Sequence, residues 1–418
     1  MRKTVMAGLV LSLGAALALF SQNTEAPYPP AQGEAPAAFD GQTNGLADQP
    51  THAADQVKFD EIEQISDGLG PLYNAQSCRE CHQNPTSEGG SQTAELRVGH
   101  RGANGQFENP SIPINELQER VPDTETIQAT RMSVNLFGDG FVEAVADQTL
   151  LDIARDQCHS THGRICGQVL YVPILEAPGK TSVGRFGWKD QHASLLSFAG
   201  DAYLNEMGIT NKLFPDEITL LCNTVSEPND TPGADGLEDI DRFARFIRAT
   251  KAPPRDAALA ETPEAREGSR LFDKIGCNTC HVRTMATAPA ATVINGGAFT
   301  VPDSLGNKQF YPYGDFLLHN VDTGDGIAVA MEEHYGKAAT KRTWMKFSYQ
   351  DLQTAANKVR TAPLWGVRTH SRLMHDGDSL TLTDAIKRHG GEAEEIREKF
   401  RRLKPMQKEA LLTFLRSL

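Results

Sequence analysis

Apolar residues return every three or four positions in several separated stretches of the chain, the spacing of helices with one buried face. Between about Leu237 and Thr250, the side chains of Ile240, Phe243, Ala244 and Ile247 share a face, and Ala252-Pro253-Pro254 stops the helix. A second such pattern covers about Ser194 to Met207. Thr262 as N-cap, with Pro263 at the first helical position, opens a third that carries Leu271, Phe272 and Ile275. Short helices are expected around Leu150, Leu151 and Ile153 and from Thr383 to about Arg388, and a longer one from Pro405 to Leu418. Glycines punctuate the rest. Gly138 and Gly140 around Asp139 predict a tight turn, and Gly184 to Lys189 an aromatic loop. The polar stretch around His100 predicts little regular structure. Residues 27–57 are rich in Pro, Gly, Ala and polar side chains without a period, and predict a disordered leader.

Residues 1–26 read as a secretory signal: Arg2 and Lys3, an apolar run from about Val5 to Phe20, then Thr24-Glu25-Ala26 as a small-x-small cleavage site. This places the protein in the periplasm. The alternative is an uncleaved anchor, and only that would tie it to a membrane.

Two stretches carry the chemistry, Cys78-Arg79-Glu80-Cys81-His82 and Cys277-Asn278-Thr279-Cys280-His281. In a C-x-x-C-H pattern two thiols add to the vinyl groups of a haem while the histidine binds its iron. With 7 Cys and 12 His in 418 residues, chance supplies about 0.003 such patterns. A zinc site would need a second ligand half, and a thioredoxin-type pair a βαβ context; neither is present. The motifs also set the register of an internal repeat. Leu72-Tyr73 and Leu271-Phe272 stand at the same distance before their first cysteines, and Phe246-Ile247-Arg248 and Phe414-Leu415-Arg416 close the two halves. The expected fold is mainly α, with two tandem cytochrome c-like domains over residues 58–254 and 255–418 and two covalently bound haem c groups.

Charge alone decides little about partners. With 41 Lys+Arg against 54 Asp+Glu, the formal charge is −13. Such a surface repels nucleic acid and anionic lipid and suits a basic electron-donor protein, with a solvated acidic face that has no particular partner as the equal alternative. In an oxidising compartment two of Cys158, Cys166 and Cys222 are expected to pair, Cys158 with Cys166 being the local choice.

From about Asp60 to Leu418 the chain resembles the di-haem oxidoreductase family of peroxidases, also labelled thiol oxidoreductase-like. More distantly it is similar to the bacterial di-haem cytochrome c peroxidases and to their relative that matures the tryptophan cofactor of methylamine dehydrogenase. The segments that carry the resemblance are GPLYNAQSCRECHQNP, LFGDGFVEAVAD, VGRFGWKDQ with NEMGIT, YPYGDFLLHN, and RTAPLWG with MHDG and HGGE, in that order.

The resemblance implies a catalytic haem in the N-terminal half and an electron-transfer haem in the C-terminal half. It also implies a small c-type cytochrome or cupredoxin as donor, hydrogen peroxide as substrate, and a calcium ion between the domains, for which the sequence offers no acidic ligand loop. In the peroxidases the electron-transfer haem takes a methionine at a fixed distance after H-D-G. The same distance from His375 lands on His389, which implies bis-histidine ligation with His281 and a lowered potential. The alternative for His389 is a helix-terminal histidine favoured by the dipole and followed by a glycine cap. Met374 and His375 compete for the ligand role, and His319 in YPYGDFLLHN is another loop position near the cofactors.

Peroxide cleavage needs an open iron position and a nearby acid/base. By the resemblance, Glu143 stands near the place of the catalytic glutamate, with Gln148 as polar companion and Arg131 to stabilise developing negative charge. Structural roles for Glu143 and Arg131 are the alternative. His100 lies where some resting-state peroxidases carry a displaceable ligand, with a surface loop as the other reading. Trp188 and Trp365 would sit between or beside the haems, or in the core. Two rival functions remain: a non-catalytic electron carrier, and an enzyme that oxidises a partner protein.

Overall fold

The computed structural model describes residues 31–103, 105, 107–108, 121, 123–216, 225–328 and 353–418. The secretory signal expected over residues 1–26, and Cys222, lie outside them. The first half contains helices α1 (Gln49–Phe59), α2 (Cys78–Cys81), α3 (Asp139–Glu143), α4 (Asp147–Ser160), α5 (Leu195–Met207) and α6 (Asp239–Ala249). The second contains α7 (Ala257–Ala260), α8 (Pro263–Ile275), α9 (Leu382–Arg388), α10 (Glu394–Arg402) and α11 (Pro405–Arg416).

The expected helices begin and end for the expected reasons. The Ser194 side chain accepts from the Ser197 amide at the start of α5, and the Thr262 side chain accepts from the Ala265 amide at the start of α8. Gly208 and Gly276, both left-handed, close the same two helices.

In the second half α8 crosses α11. At the crossing Gly268 lets the backbones touch, since a Cβ there would stand 1.9 Å from the Ala410 carbonyl oxygen. Phe272 meets Phe414 edge-on at 5.3 Å between ring centroids and stands 6.4 Å from the ring of His281. The first half repeats this arrangement with α1 and α6. Phe59 lies 5.1 Å from Phe246 and 6.2 Å from His82.

The repeat is therefore real, but its register differs from the sequence reading. The counterpart of Phe272 is Phe59, while Tyr73 is 40% exposed. A helix also replaces the end of the expected leader. Asp48 caps α1, which buries His52, Asp55 and Phe59, and Asp55 takes both arms of Arg245 at 2.6 and 2.7 Å. Further upstream, Gly33–Glu34 pairs with Lys308–Phe310, and Ala37 bridges to Ala252. The leader's composition hid these contacts because they are made by backbone and by an ion pair rather than by an apolar stripe.

The architecture is less helical than expected. Short helices alternate with small sheets, the largest ladder joining Ala94–Arg101 to Ile127–Met132 antiparallel. That strand replaces the irregular loop expected around His100. Strand geometry points alternate side chains to one side, and here Glu95 and Arg97 share a side. The largest apolar cluster draws on both halves, while α8, α10 and α11 bury a second one around Phe272, Phe400 and Phe414. Phe310 of the second half lies 6.2 Å from Phe141 of the first and 5.6 Å from Trp365. Trp365 is thus a core residue, pressed against Gly138. No helix among the described residues is long and apolar enough to cross a membrane.

If the crossed helix pairs hold the two halves, Phe414→Ala should lower unfolding free energy by about 3–5 kcal/mol in urea denaturation, the cost of emptying a buried aromatic site. A loss below about 1 kcal/mol would contradict this packing.

Candidate functional site

Each C-x-x-C-H motif opens onto its own cavity. The first, about 340 Å³, is lined by Cys78, Cys81 and His82. The second, about 230 Å³, is lined by Cys277, Cys280 and His281. Met132, Ser133, Val134 and Trp188 line both, so one thin wall separates the two. Trp188 is fixed in that wall by its indole N–H, which donates to the Met132 carbonyl at 2.7 Å. This is the place expected for it, between the two motifs.

The histidines are built alike. His82 Nδ1 lies 3.1 Å from the Gly89 carbonyl oxygen, and His281 Nδ1 lies 3.0 Å from that of Tyr313. A carbonyl only accepts, so Nδ1 carries the hydrogen in each ring and Nε2 keeps a free lone pair. Burial pushes His82 down and His281 down to about 4, so both rings stay neutral, as metal ligation requires. Burial also pushes the Cys78 and Cys277 thiols up to about 12, which removes the thiolate that a thiol-redox centre needs.

His389 completes a pair. It caps the end of α9, where its Nδ1 donates back to the Ala385 carbonyl at 2.8 Å, and burial lowers its pKa as well. Its ring centroid stands 6.4 Å from that of His281. A metal–imidazole bond of about 2.0–2.1 Å leaves two imidazoles on opposite sides of one ion roughly 6 Å apart. The spacing and the two free Nε2 atoms thus fit a single iron between His281 and His389. His375 and Met374 also line the second cavity. The His375 ring, however, packs edge-on against Trp188 at 6.0 Å, and Met374 sits in a left-handed turn. His319 lines the cavity too, but both of its nitrogens face carboxylates, Asp315 at 2.9 Å and Glu392 at 3.0 Å, which leaves none for iron.

The first cavity is different. Among the described residues that line it, His82 is the one histidine. His100 is not there; its Nδ1 is held 3.0 Å from Glu125 on the strand's far stretch. Arg131 does line the cavity, with its guanidinium paired to Asp325 at 2.8 and 2.9 Å. Asp325 also meets Lys189 at 2.9 Å.

Glu143 and Gln148 need correcting. Glu143 is 1% exposed and lines neither cavity. Its carboxylate takes both arms of Arg248 at 2.6 and 2.9 Å, the Leu195 amide at 2.8 Å and Asn295 Nδ2 at 2.9 Å. Burial opposes ionisation, but Arg248 outweighs it and holds Glu143 below the ordinary glutamate range. A carboxylate with its acceptor positions filled and no path to a cavity cannot serve as the acid/base. Gln148 faces solvent and donates to Asp152 at 2.9 Å.

The sequence reading missed another acid/base candidate. Glu95 and Glu206 line the first cavity and share Arg97, which bonds Glu95 at 2.7 and 3.0 Å and Glu206 at 2.6 Å. Burial pushes Glu95 up to about 7. Against the same cost, Arg97 and bonds from Glu95 and Asn74 hold Glu206 low. The pair therefore holds one mobile proton near neutrality. The charged alternation Glu95-Leu96-Arg97-Val98 was the available signal, and it needs the cavity to give it meaning. Elsewhere, Cys158 and Cys166 form the expected disulfide. For calcium, the acidic trio of Glu61, Glu63 and Asp239 is a poor cage, because Lys58 lies 2.6 Å from Glu61 and 3.7 Å from Asp239.

Because Glu143 is a joint between segments, Glu143→Gln should cost about 3–5 kcal/mol of stability through the stranded Arg248 charge. The same pair's contribution is complete at neutral pH and is lost as pH falls below about 4, through the depressed folded value. Equilibrium unfolding of the wild type and the variant checks both. A variant of unchanged stability with abolished turnover would restore the catalytic reading.

The family model described as "Di-haem oxidoreductase, putative peroxidase" matches residues 106–418. Among solved structures, hydrazine synthase of Kuenenia stuttgartiensis, studied under 20 bar xenon, is 14% identical, covers 100% of each chain and has a TM-score of 0.40. A MauG-like protein associated with microbial copper homeostasis is also 14% identical, covers 96% of this chain and 95% of its own, and has a TM-score of 0.40. No curated protein matches the chain. With a matched stretch that covers three quarters of the chain and runs through the second motif and all the lining of the second cavity but Ser91, the protein belongs to the di-haem oxidoreductase family.

Proposed function

We propose that the protein is an exported di-haem c-type cytochrome that reduces hydrogen peroxide to water. The observation that carries this reading is the unequal histidine supply among the described residues: an opposed pair, His281 and His389, at the second cavity, and His82 as the one histidine lining the first. A site closed on both sides suits electron transfer, and a site with one open side suits a substrate. Haem held in both cradles would supply the one-electron chemistry.

The chain's own residues do the rest. The Cys78 and Cys81 thiols, and those of Cys277 and Cys280, would hold each haem through thioether bonds. His281 and His389 would hold the second haem between them and leave no place there for substrate. Trp188 spans the wall on the route between the cradles. The Glu95–Glu206 pair accepts a proton from one peroxide oxygen and returns it to the other, so that the second oxygen leaves as water. The overall balance is one peroxide, two electrons and two protons in, and two waters out. The electrons come one at a time from a small, basic redox protein attracted by the net charge of −13. The Cys158–Cys166 disulfide supports an oxidising compartment, in line with the secretory signal.

Stopped-flow mixing of the two-electron-reduced protein with peroxide tests the reading. One equivalent of peroxide should reoxidise both haems, with a rate that titrates near pH 7. Glu95→Gln should slow the step by about 10²–10⁴-fold and remove that titration. Reduced protein that ignores peroxide would leave the electron carrier as the function.

A further inference from the structure

Beside the second cradle lies a buried charge cluster that peroxide reduction does not use. His319 is 2% exposed. Its Nε2 stands 2.9 Å from Asp315 Oδ2 and its Nδ1 3.0 Å from Glu392 Oε2. An ionised carboxylate only accepts, so each ring nitrogen donates and the ring is an imidazolium. Against the cost of burial, the Asp315 carboxylate holds the ring well above the usual histidine range. The same Nδ1 lies 3.8 Å from the sulfur of Cys280, a thiol of the second haem motif.

Both carboxylates are anchored in place by further donors. Asp315 accepts from Gln157 Nε2 at 2.7 Å and from the Leu317 amide at 3.0 Å. Glu392 accepts from the Asn320 amide at 2.9 Å and from the Cys166 amide at 3.0 Å. Gln157 also donates to the Thr279 carbonyl inside the motif at 2.7 Å and accepts from the Gly167 amide at 3.3 Å. Gln157 and Gly167 flank the cysteines of the Cys158–Cys166 disulfide. The disulfide-closed loop and Gln157, the residue just before it, therefore together hold both carboxylates of the cluster and the haem motif itself. Cys280, Asp315 and His319 lie close enough together to hold a metal ion. The proton shared by His319 and Asp315 already fills that place, and Cys280 belongs to the haem.

We propose that His319 is a positioning residue whose fixed positive charge, held against Cys280 by Asp315, Glu392 and the disulfide-closed loop, sets the redox potential of the second haem. A cation beside the haem edge favours the state with one more electron. Bis-histidine ligation lowers a haem's potential relative to histidine–methionine, and His319 offsets part of that fall. The second haem can then accept electrons from a donor of ordinary potential. This inference rests on haem occupying the second cradle, and not on peroxide being the substrate.

Spectropotentiometric titration of the holoprotein tests it, with the two haems separated by their low-spin and high-spin spectra. His319→Gln should lower the midpoint of the second haem and leave the first unmoved, while His319→Lys, which keeps the charge, should stay near the wild type. A His319→Gln protein with both haems in place and unmoved midpoints overturns the proposal, as does a Lys variant shifted as far as the Gln variant. If neither variant folds, neutron diffraction from wild-type crystals decides: deuterons on both His319 nitrogens support the proposal, and one deuteron overturns it. A protein that shows the midpoint shift but ignores peroxide keeps this proposal and loses the peroxidase reading.

Discussion

The structure depends on a single hydrogen bond made three times. His82, His281 and His389 each give Nδ1–H to a backbone carbonyl, from Gly89, Tyr313 and Ala385 respectively. That bond fixes the tautomer, orients the ring and leaves Nε2 bare in a buried place. A buried, neutral imidazole with a free lone pair is costly unless something occupies the position in front of it. The cavities lie where those lone pairs are available. The one-turn α2, the left-handed Gly276 and the α9 terminus all place a histidine within reach of its carbonyl.

The second constraint is the joint between the halves. Glu143 and Arg248 come from the first half, and Asn295, from the second, completes the carboxylate's bonds. Around them Phe141, Phe310 and Trp365 form an apolar contact within the cluster that draws on both halves. A rigid joint keeps the wall of Met132 to Val134 and Trp188 thin, and electron transfer falls off steeply with separation. The residue that the family resemblance nominated for catalysis is thus part of the frame. The carboxyl pair proposed to carry the proton, Glu95 and Glu206, comes from a strand and a helix that line the cavity.

Much of this was legible in the sequence. The C-x-x-C-H motifs, the caps at Ser194 and Thr262, and the Cys158–Cys166 pair are local features whose chemistry travels with a few adjacent residues. His389 was legible only through its distance from H-D-G, and the structure adds its 6.4 Å approach to His281. The true repeat partner of Phe272 was hidden, because α1 lies in a stretch whose composition resembles a linker and whose helix is held by Asp55–Arg245. Glu95 was hidden for another reason. A carboxyl becomes a proton carrier through burial and through Glu206, far along the chain, and neither is visible in the residues that flank it. Glu143 was misassigned because motif spacing gives a position along the chain but not the direction in which a side chain points.

The central claim is the asymmetry of the two cradles, and electron paramagnetic resonance of the holoprotein, oxidised and half-reduced, tests it most directly. The account predicts a low-spin ferric signal from the His281–His389 pair that disappears first on reduction, together with a high-spin ferric signal that persists after half-reduction and changes when peroxide is added. Two low-spin signals that neither half-reduction nor peroxide converts would contradict it.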